Sequence, residues 1–366
     1  MPENTRIRTK FDQIYDRLLG RIGREMAVGD RLPPEQDLAR SLGVNRMTVA
    51  KVMSTLKREG YVSRKPRVGT LVSRRPRCVP ADGIITVLPA DIQSLHDFYF
   101  KSVADAVADE ALRRGLIGAT LGGALDKKRI FERIGELYFS GRYSGVVVVN
   151  SLITEREAWQ AYYKNHEEPR SVWMGMSSRA SPNVNCVDTD QSAGVLLGLE
   201  FLLAKGFRRI GFMSSVPDTY DRRERLEAFK RICAEKGLCR NDGQIILIDV
   251  KSIQEAGYRG FKRLSELTGK FDALFLADCG LLEGLEMLRK EGHASGGCKL
   301  PMAAFDYRFG GMFDRMVQAS IVQPIEDMGR TAVRMLTNLY GGKARPPLRT
   351  LLKPKLMEKG YLLVWR

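Results

Sequence analysis

Histidine is scarce in this chain of 366 residues: His96, His166 and His293 are the only three, and none stands beside a cysteine pair. The six cysteines, Cys78, Cys186, Cys233, Cys239, Cys279 and Cys298, form no Cys-x-x-Cys spacing. These shortages argue against a structural zinc site and leave the cysteines as reduced, mostly buried thiols of a reducing compartment. No run reaches the ~18 apolar residues that span a bilayer, and the opening Met1 to Arg6 is polar rather than a secretion signal. A cytoplasmic location is expected. Also missing are a Gly-x-x-x-x-Gly-Lys-Ser/Thr phosphate loop, a Gly-x-Ser-x-Gly elbow, a Gly-x-Gly-x-x-Gly turn and a histidine cluster for a metal. Neither an enzyme nor a bound cofactor is expected. His96 beside Asp97 reads as a structural loop pair rather than a proton relay.

What is abundant is positive charge. The formal net charge is +16, and residues 1–80 hold eighteen Lys and Arg against eight Asp and Glu. So uneven a distribution points to a polyanion bound at the front of the chain. At 44% hydrophobic and 28% charged the composition is otherwise that of a folded protein, and the length calls for at least two domains.

Along the chain, residues 11–26 place Ile14, Leu18, Leu19 and Ile22 on one helical face. Pro33 and Pro34 open a short helix over 35–42, which stops at Gly43. Asn45 caps a third over 46–59, with Val49, Val52, Met53 and Leu56 inward and Gly60 at its end. Strand-like runs 61–63 and 70–72 flank a basic turn, 64–69. Helix, helix, glycine turn, helix, basic hairpin is the order of a winged helix-turn-helix. Residues 74–83, rich in proline and charge, read as a linker.

From Ile84 onward, short apolar strands alternate with amphipathic helices. Strand candidates cover 84–89, 145–150, 171–175, 209–214, 244–250, 273–277 and 301–305; helix candidates include 103–114, 193–205, 222–236 and 281–291. The fold class is therefore α/β: a small N-terminal winged helix-turn-helix (1–73), a linker (74–83) and a two-lobed, doubly wound parallel-sheet domain (84–366).

The third helix is the candidate reader of bases. Asn45, Arg46, Met47 and Thr48 supply amide, guanidinium, apolar and hydroxyl groups suited to base edges, with Lys51 nearer the phosphates. Arg64, Lys65 and Arg67 in the wing have the reach for phosphate or the minor groove. The stretch LPPEQDLARSLGVNRMTVAKVMSTLKREGYVSRKPRVGTLV resembles the DNA-binding domain of the GntR family of bacterial regulators. That resemblance implies contacts at Arg46, Thr48, Gly69 and Thr70. It departs from the family at Gln36, where a basic residue is common, at Ala50, where arginine is, and near Arg67, where the wing has glycine.

Polar and aromatic residues placed after or within the body strands are candidates for a small-molecule cleft: Gln93, Ser94, Phe98, Asn150, Ser151, Trp173, Tyr220, Arg225, Asp278 and Asp306. Amides, carboxylates and a guanidinium suit sugar hydroxyls. Each has a plainer reading: Arg225 as a surface pair, Asp306 as a turn residue, Trp173 and Phe98 as core. Segments Leu88–Ile92, Asp190–Gly194, Gly206–Ile210, Arg225–Phe229, Ala303–Asp306 and Val322–Ile325 resemble, in order, the LacI/GalR effector domain, which is similar to periplasmic sugar-binding proteins. A GntR-like head on this body resembles arabinose-type repressors. The resemblance implies Arg225 and Asp306 as ligand contacts, a homodimer, operator DNA and a sugar-like effector as partners, and repression relieved by that effector. Rival readings are a non-sugar effector or a corepressor, an aminotransferase-like fused enzyme, a periplasmic binding protein, and an unregulated DNA-binding protein.

Overall fold

The computed structural model describes residues 9–74, 83–88, 96–121, 127–139, 142–149, 153–175, 183–216, 218–238, 242–250, 252–266, 270–292, 299–308, 313–340 and 346–359. The linker's interior, 75–82, lies outside them, as do Cys78, Cys239, Cys298 and His293. Of the other thiols, Cys186 and Cys233 are buried and Cys279 half-buried.

The head consists of α1 (Lys10–Glu25), α2 (Glu35–Ser41), α3 (Arg46–Arg58) and the antiparallel hairpin β1 (Val62–Lys65) and β2 (Gly69–Val72). Asn45 caps α3 as expected, its side-chain oxygen accepting from the Met47 N–H at 2.8 Å. Ile14, Leu18, Ile22, Leu38, Val49, Val52 and Leu56 meet in one core, closed by Val62 and Val72 of the hairpin. Arg67 stands at φ 63°, in the left-handed region. This is the wing position where the resemblance anticipates glycine, so the arginine keeps a glycine-like backbone at some conformational cost.

The first lobe runs through β3 (Gly83–Val87), α4 (His96–Arg113), β4 (Ile117–Leu121), α5 (Lys127–Phe139), β5 (Tyr143–Val149), α6 (Ile153–Tyr163), β6 (Ser171–Met174) and β7 (Cys186–Thr189). The chain then crosses to the second lobe: α7 (Gln191–Ala204), β8 (Ile210–Ser215), α8 (Tyr220–Glu235), β9 (Ile245–Ile248), α9 (Ile253–Glu266), β10 (Ala273–Leu276), α10 (Leu281–Lys290), β11 (Met302–Phe305) and β12 (Val317–Val322). It crosses back for α11 (Ile325–Tyr340) and β13 (Arg349–Leu352), and once more for β14 (Lys355–Glu358).

Each lobe has a six-stranded sheet, ordered β13-β7-β6-β5-β3-β4 and β14-β12-β11-β10-β8-β9. All pairings are parallel except that of β12 with β14. The strands β5, β8, β10 and β11 are apolar runs sealed by helices on both faces, which is why parallel order forms here. α11 belongs to the first lobe: Met328, Ala332, Val333 and Leu336 pack with Val103, Val107, Val147 and Val172.

Two glycines, one in α7 and one in α11, have packing roles. A Cβ at Gly194 would lie 2.5 Å from the Phe305 ring, and one at Gly329 would lie 2.7 Å from the Ala106 methyl. They let α7 and α11 approach the second sheet and α4.

In both sheets the strand order reverses between neighbouring central strands, at β3/β5 and at β8/β10. Beyond the carboxyl ends of strands at such reversals lies the crevice where open α/β sheets bind ligands.

Candidate functional site

Two surfaces carry unusual chemistry, one on the head and one where the lobes meet. On the head, Arg46, Lys51, Lys65 and Arg67 are exposed, and none forms an ion pair among the described residues. Met47 is 66% exposed at the start of α3, a position for a long apolar side chain that only a partner would cover. Asn45 and Gln36 are exposed, while Thr48 and Thr70 are half-buried. Arg64 is less available, being hydrogen-bonded to Glu35 of α2. Gly69 has little room: a Cβ there would lie 2.8 Å from Arg31 Nε. Its φ of 110° is also unfavourable to any side chain. Lys10 and Arg40, not singled out by sequence reasoning, rim a depression of about 380 Å³ beside Asn45 and Thr48.

Where the lobes meet, Arg225 of α8 is 2% exposed and bonded on every side. Its Nε donates to Gln191 Oε1 at 2.7 Å and its Nη1 to the Ala277 carbonyl at 2.6 Å. Nη2 lies 3.7 Å from Asp221, and the guanidinium sits 3.8 Å over the Phe305 ring. Next to it Asp278, at the end of β10, accepts from the Gly280 N–H at 2.8 Å and lies 3.9 Å from Arg222. Asp306 follows β11 at φ 60°. Its carboxylate accepts from the Gln323 side chain at 2.7 Å and from the Gln323 N–H at 3.3 Å. Gln323 in turn accepts from the Thr189 hydroxyl at 2.8 Å. Asp306 is thereby tied to two of the three lobe crossings.

Burial, with the nearby negative charge of Asp221, pushes the Asp188 carboxyl up to about 8. It pushes Asp306 upward too, against the opposing pull of Arg225 and Gln323. Burial acts the same way on Asp221, but Arg225 and Arg222 overcome it and hold that group below the usual carboxylate range. Two buried carboxylate oxygens, Asp188 Oδ2 and Asp221 Oδ1, have no hydrogen-bond partner among the described residues. Tyr99 of α4 feels the charges of Asp188, Asp306 and Asp221, and with burial they raise its hydroxyl well above the usual range. The cluster is thus a set of hydrogen-bonding groups running from buried Arg225, Asp188 and Asp278 to half-buried Tyr99, Asp221 and Asp306, with acceptors to spare.

The structure brings Arg225, Asp278 and Asp306 together. Tyr220 is close by in sequence, but its ring packs into a first-lobe core with Trp159, Trp173, Val184 and Cys186. Trp173 is itself 1% exposed, edge-on to Trp159 at 5.3 Å, and donates to Ser171 Oγ at 3.2 Å. Gln93, Ser94, Asn150 and Ser151 lie outside the described residues, as does the Phe98 side chain. Sequence reasoning passed over Tyr99, Asp188, Gln191, Asp221 and Gln323. The one available signal was Asp188, an acid inside a short apolar strand.

This geometry defines a class: a winged helix-turn-helix head joined to a two-lobed α/β body. The comparisons agree. Residues 10–72 match the model of bacterial regulatory proteins, gntR family, and residues 199–360 match that of a periplasmic binding protein-like domain. Catabolite control protein A of Streptococcus mutans is 25% identical over 342 residues, 88% of this chain and 96% of that protein. The arabinose metabolism transcriptional repressor of Geobacillus stearothermophilus is 25% identical over 233 residues, 61% of this chain and 60% of its own. Among solved structures, a transcriptional regulator CelR–cellobiose complex superposes with a TM-score of 0.61 at 20% identity, covering 90% of this chain and all of that one. The chain thus combines a gntR-type head with a periplasmic binding protein-like body, and the relatives it resembles are transcriptional regulators. Among the described residues no helix is long and apolar enough to cross a membrane.

Proposed function

We propose that this chain is a cytoplasmic repressor that holds operator DNA as a homodimer and releases it when a small sugar-like effector enters the crevice between the lobes. The division of labour is residues 1–73 for DNA, 74–83 as tether, and 84–366 for effector and dimerisation. Asn45, Arg46, Met47 and Thr48 enter the major groove, Gln36 and Lys51 lie toward the phosphates, and Arg64, Lys65, Arg67, Gly69 and Thr70 form the wing contact. Lys10 and Arg40, at the depression beside Asn45, add two phosphate partners. Arg225, Asp278 and Asp306 anchor the effector, with Gln93, Ser94, Phe98, Asn150 and Ser151 completing the set, whereas Trp173 and Tyr220 pack into the first-lobe core.

The observation that carries this reading is the acceptor-rich charge cluster where the two lobes meet, in a chain whose head presents an exposed cationic helix. Carboxylates and amides of this kind pair with hydroxyls, and relatives named for arabinose metabolism and solved with cellobiose support the sugar class. Effector binding can shift DNA affinity only by its preference between two body conformations.

The test selects a preferred duplex from random sequence with the intact protein, then titrates pentoses, hexoses and disaccharides. A sugar that raises the melting temperature and releases the duplex is the expected result. A ligand that tightens binding instead makes the protein a corepressor-dependent regulator. Absence of any preferred duplex overturns the reading.

A further inference from the structure

The head does not merely hang from the body: α1 lies against the first lobe. Its inner face builds the head core through Ile14, Leu18 and Ile22. Its flank carries Arg17, Arg21 and Glu25 to Tyr138 and Phe139 of α5 and to Glu167 beyond α6. The Arg17 guanidinium carbon stands 3.9 Å over the Phe139 ring, and Arg17 Nη2 is 3.7 Å from Glu167. Arg21 Nε lies 3.7 Å from the other Glu167 oxygen, and the Tyr138 hydroxyl reaches Glu25 at 3.5 Å. Tyr138 and Phe139 are 1% and 3% exposed, so this face is covered.

The covered face continues inward. Glu168, next to Glu167, accepts from Trp159 Nε1 at 2.7 Å, and Trp159 packs edge-on against Trp173. Trp173 lies in the same cluster as Tyr220, which comes from the second lobe and begins the helix that carries Arg225. Packed side chains, bridged by the backbone between Glu167 and Glu168, thus join the lobe junction to the head.

We propose that this contact is a latch: Arg17, held between Phe139 and Glu167, fixes the head to the first lobe, and the Tyr220–Trp173–Trp159–Glu168 series makes the grip depend on how the lobes are set. The latch leaves the DNA-reading side open, since Arg46, Met47 and Lys51 stay exposed. It therefore positions the head rather than blocking it. The dependence on lobe setting rests on the effector reading above; the docking does not.

Hydrogen exchange on the full-length protein, free of DNA and sugar, tests both parts. Arg17→Glu and Glu167→Arg should each speed amide exchange in residues 127–139 and 164–168 by about tenfold. The exchanged pair R17E/E167R should restore slow exchange, which separates a broken latch from a damaged fold. If both single variants exchange as the parent does, or the exchanged pair stays fast, the latch is refuted. Trp159→Phe, which removes the bond to Glu168 and keeps a ring, should speed exchange in residues 10–25. Unchanged exchange there refutes the transmitting series while leaving the docking and the effector reading standing.

Discussion

The charges of the head and those of the lobe junction differ in surroundings more than in number. Arg46, Lys51, Lys65 and Arg67 are exposed and form no ion pair among the described residues, whereas Arg225 is 2% exposed with each of its donors aimed at protein. An exposed cation retains its hydration and is free to trade counterions for phosphates, so it suits a long polyanion and responds steeply to salt. A buried charge must be matched atom by atom, so it suits a small partner whose hydroxyls replace water one for one. The location of each charge therefore indicates the size of its partner.

That contrast is open to breakage at several points. The largest effect should come from Arg225→Met, which strands Asp221 and leaves Gln191 and the Ala277 carbonyl unpaired; chemical denaturation should record a loss of about 3–5 kcal/mol. The same measurement on Arg46→Ala should move by less than about 0.5 kcal/mol. A loss of stability in Arg46→Ala as large as that in Arg225→Met would abolish the distinction.

Next in size is DNA recognition. Arg46→Ala should weaken binding to the selected duplex by about 1–3 kcal/mol and relax preference at one base position, with sugar binding unchanged. Equal weakening on every duplex would reassign Arg46 to the phosphates.

The pH response should be opposite in sign to that of an ordinary paired aspartate. The Asp188 carboxyl, raised to about 8, keeps its proton in the folded chain, whereas an unfolded aspartate loses it near about 3.9. The folded state then holds the extra proton between those values. The stability due to Asp188 is complete below about pH 4 and is lost as pH climbs through about 8. Asp188→Asn should flatten that decline in thermal melts between pH 5 and 8, readings for which no bound ligand is needed. A parent protein whose Asp188-dependent stability grows over the same range would contradict the burial argument. Smallest of all, Lys65→Ala should lower the slope of log affinity against log salt by about 1 and leave sequence preference as it was.

Much of this architecture was legible in the residues. The three head helices fall within a residue or two of the spans given by apolar spacing, because each buries a single stripe, and α2 and α3 stop just before Gly43 and Gly60. The seven apolar runs of the body are strands for a similar reason: a strand covered on both faces must be apolar throughout. Other strands carried no such mark. β4 (Ile117–Leu121) is an edge with its residues half-buried or exposed, and β7 breaks its apolar run with Asp188. β13 and β14 lie at the end of the chain but join sheets begun far earlier, and short-range pattern is blind to that.

The candidate site was legible where a charged residue follows an apolar strand, as at Asp278 and Asp306. Arg225 came through resemblance, since a charged residue in a helix otherwise looks like surface. Tyr99, Gln191 and Gln323 come from helices and a crossing, and only the tertiary arrangement brings them to the strand ends. Trp173 illustrates the converse. Its place within a strand offered either stacking or core, and the structure packs it against Trp159 under Arg156, 4.8 Å from the ring.

The three crossings between lobes bear on how the chain matures. α11 and β13 supply the first lobe with a covering helix and an edge strand, yet they leave the ribosome only after all of the second lobe except β14. The head can settle during synthesis, but the earlier lobe must wait, with Val103, Val107 and Val147 open to water until Met328 and Leu336 arrive. A nonsense codon even fifty residues from the end would leave a folded DNA-reading head attached to a body with an exposed core, a product suited to degradation rather than to unregulated repression.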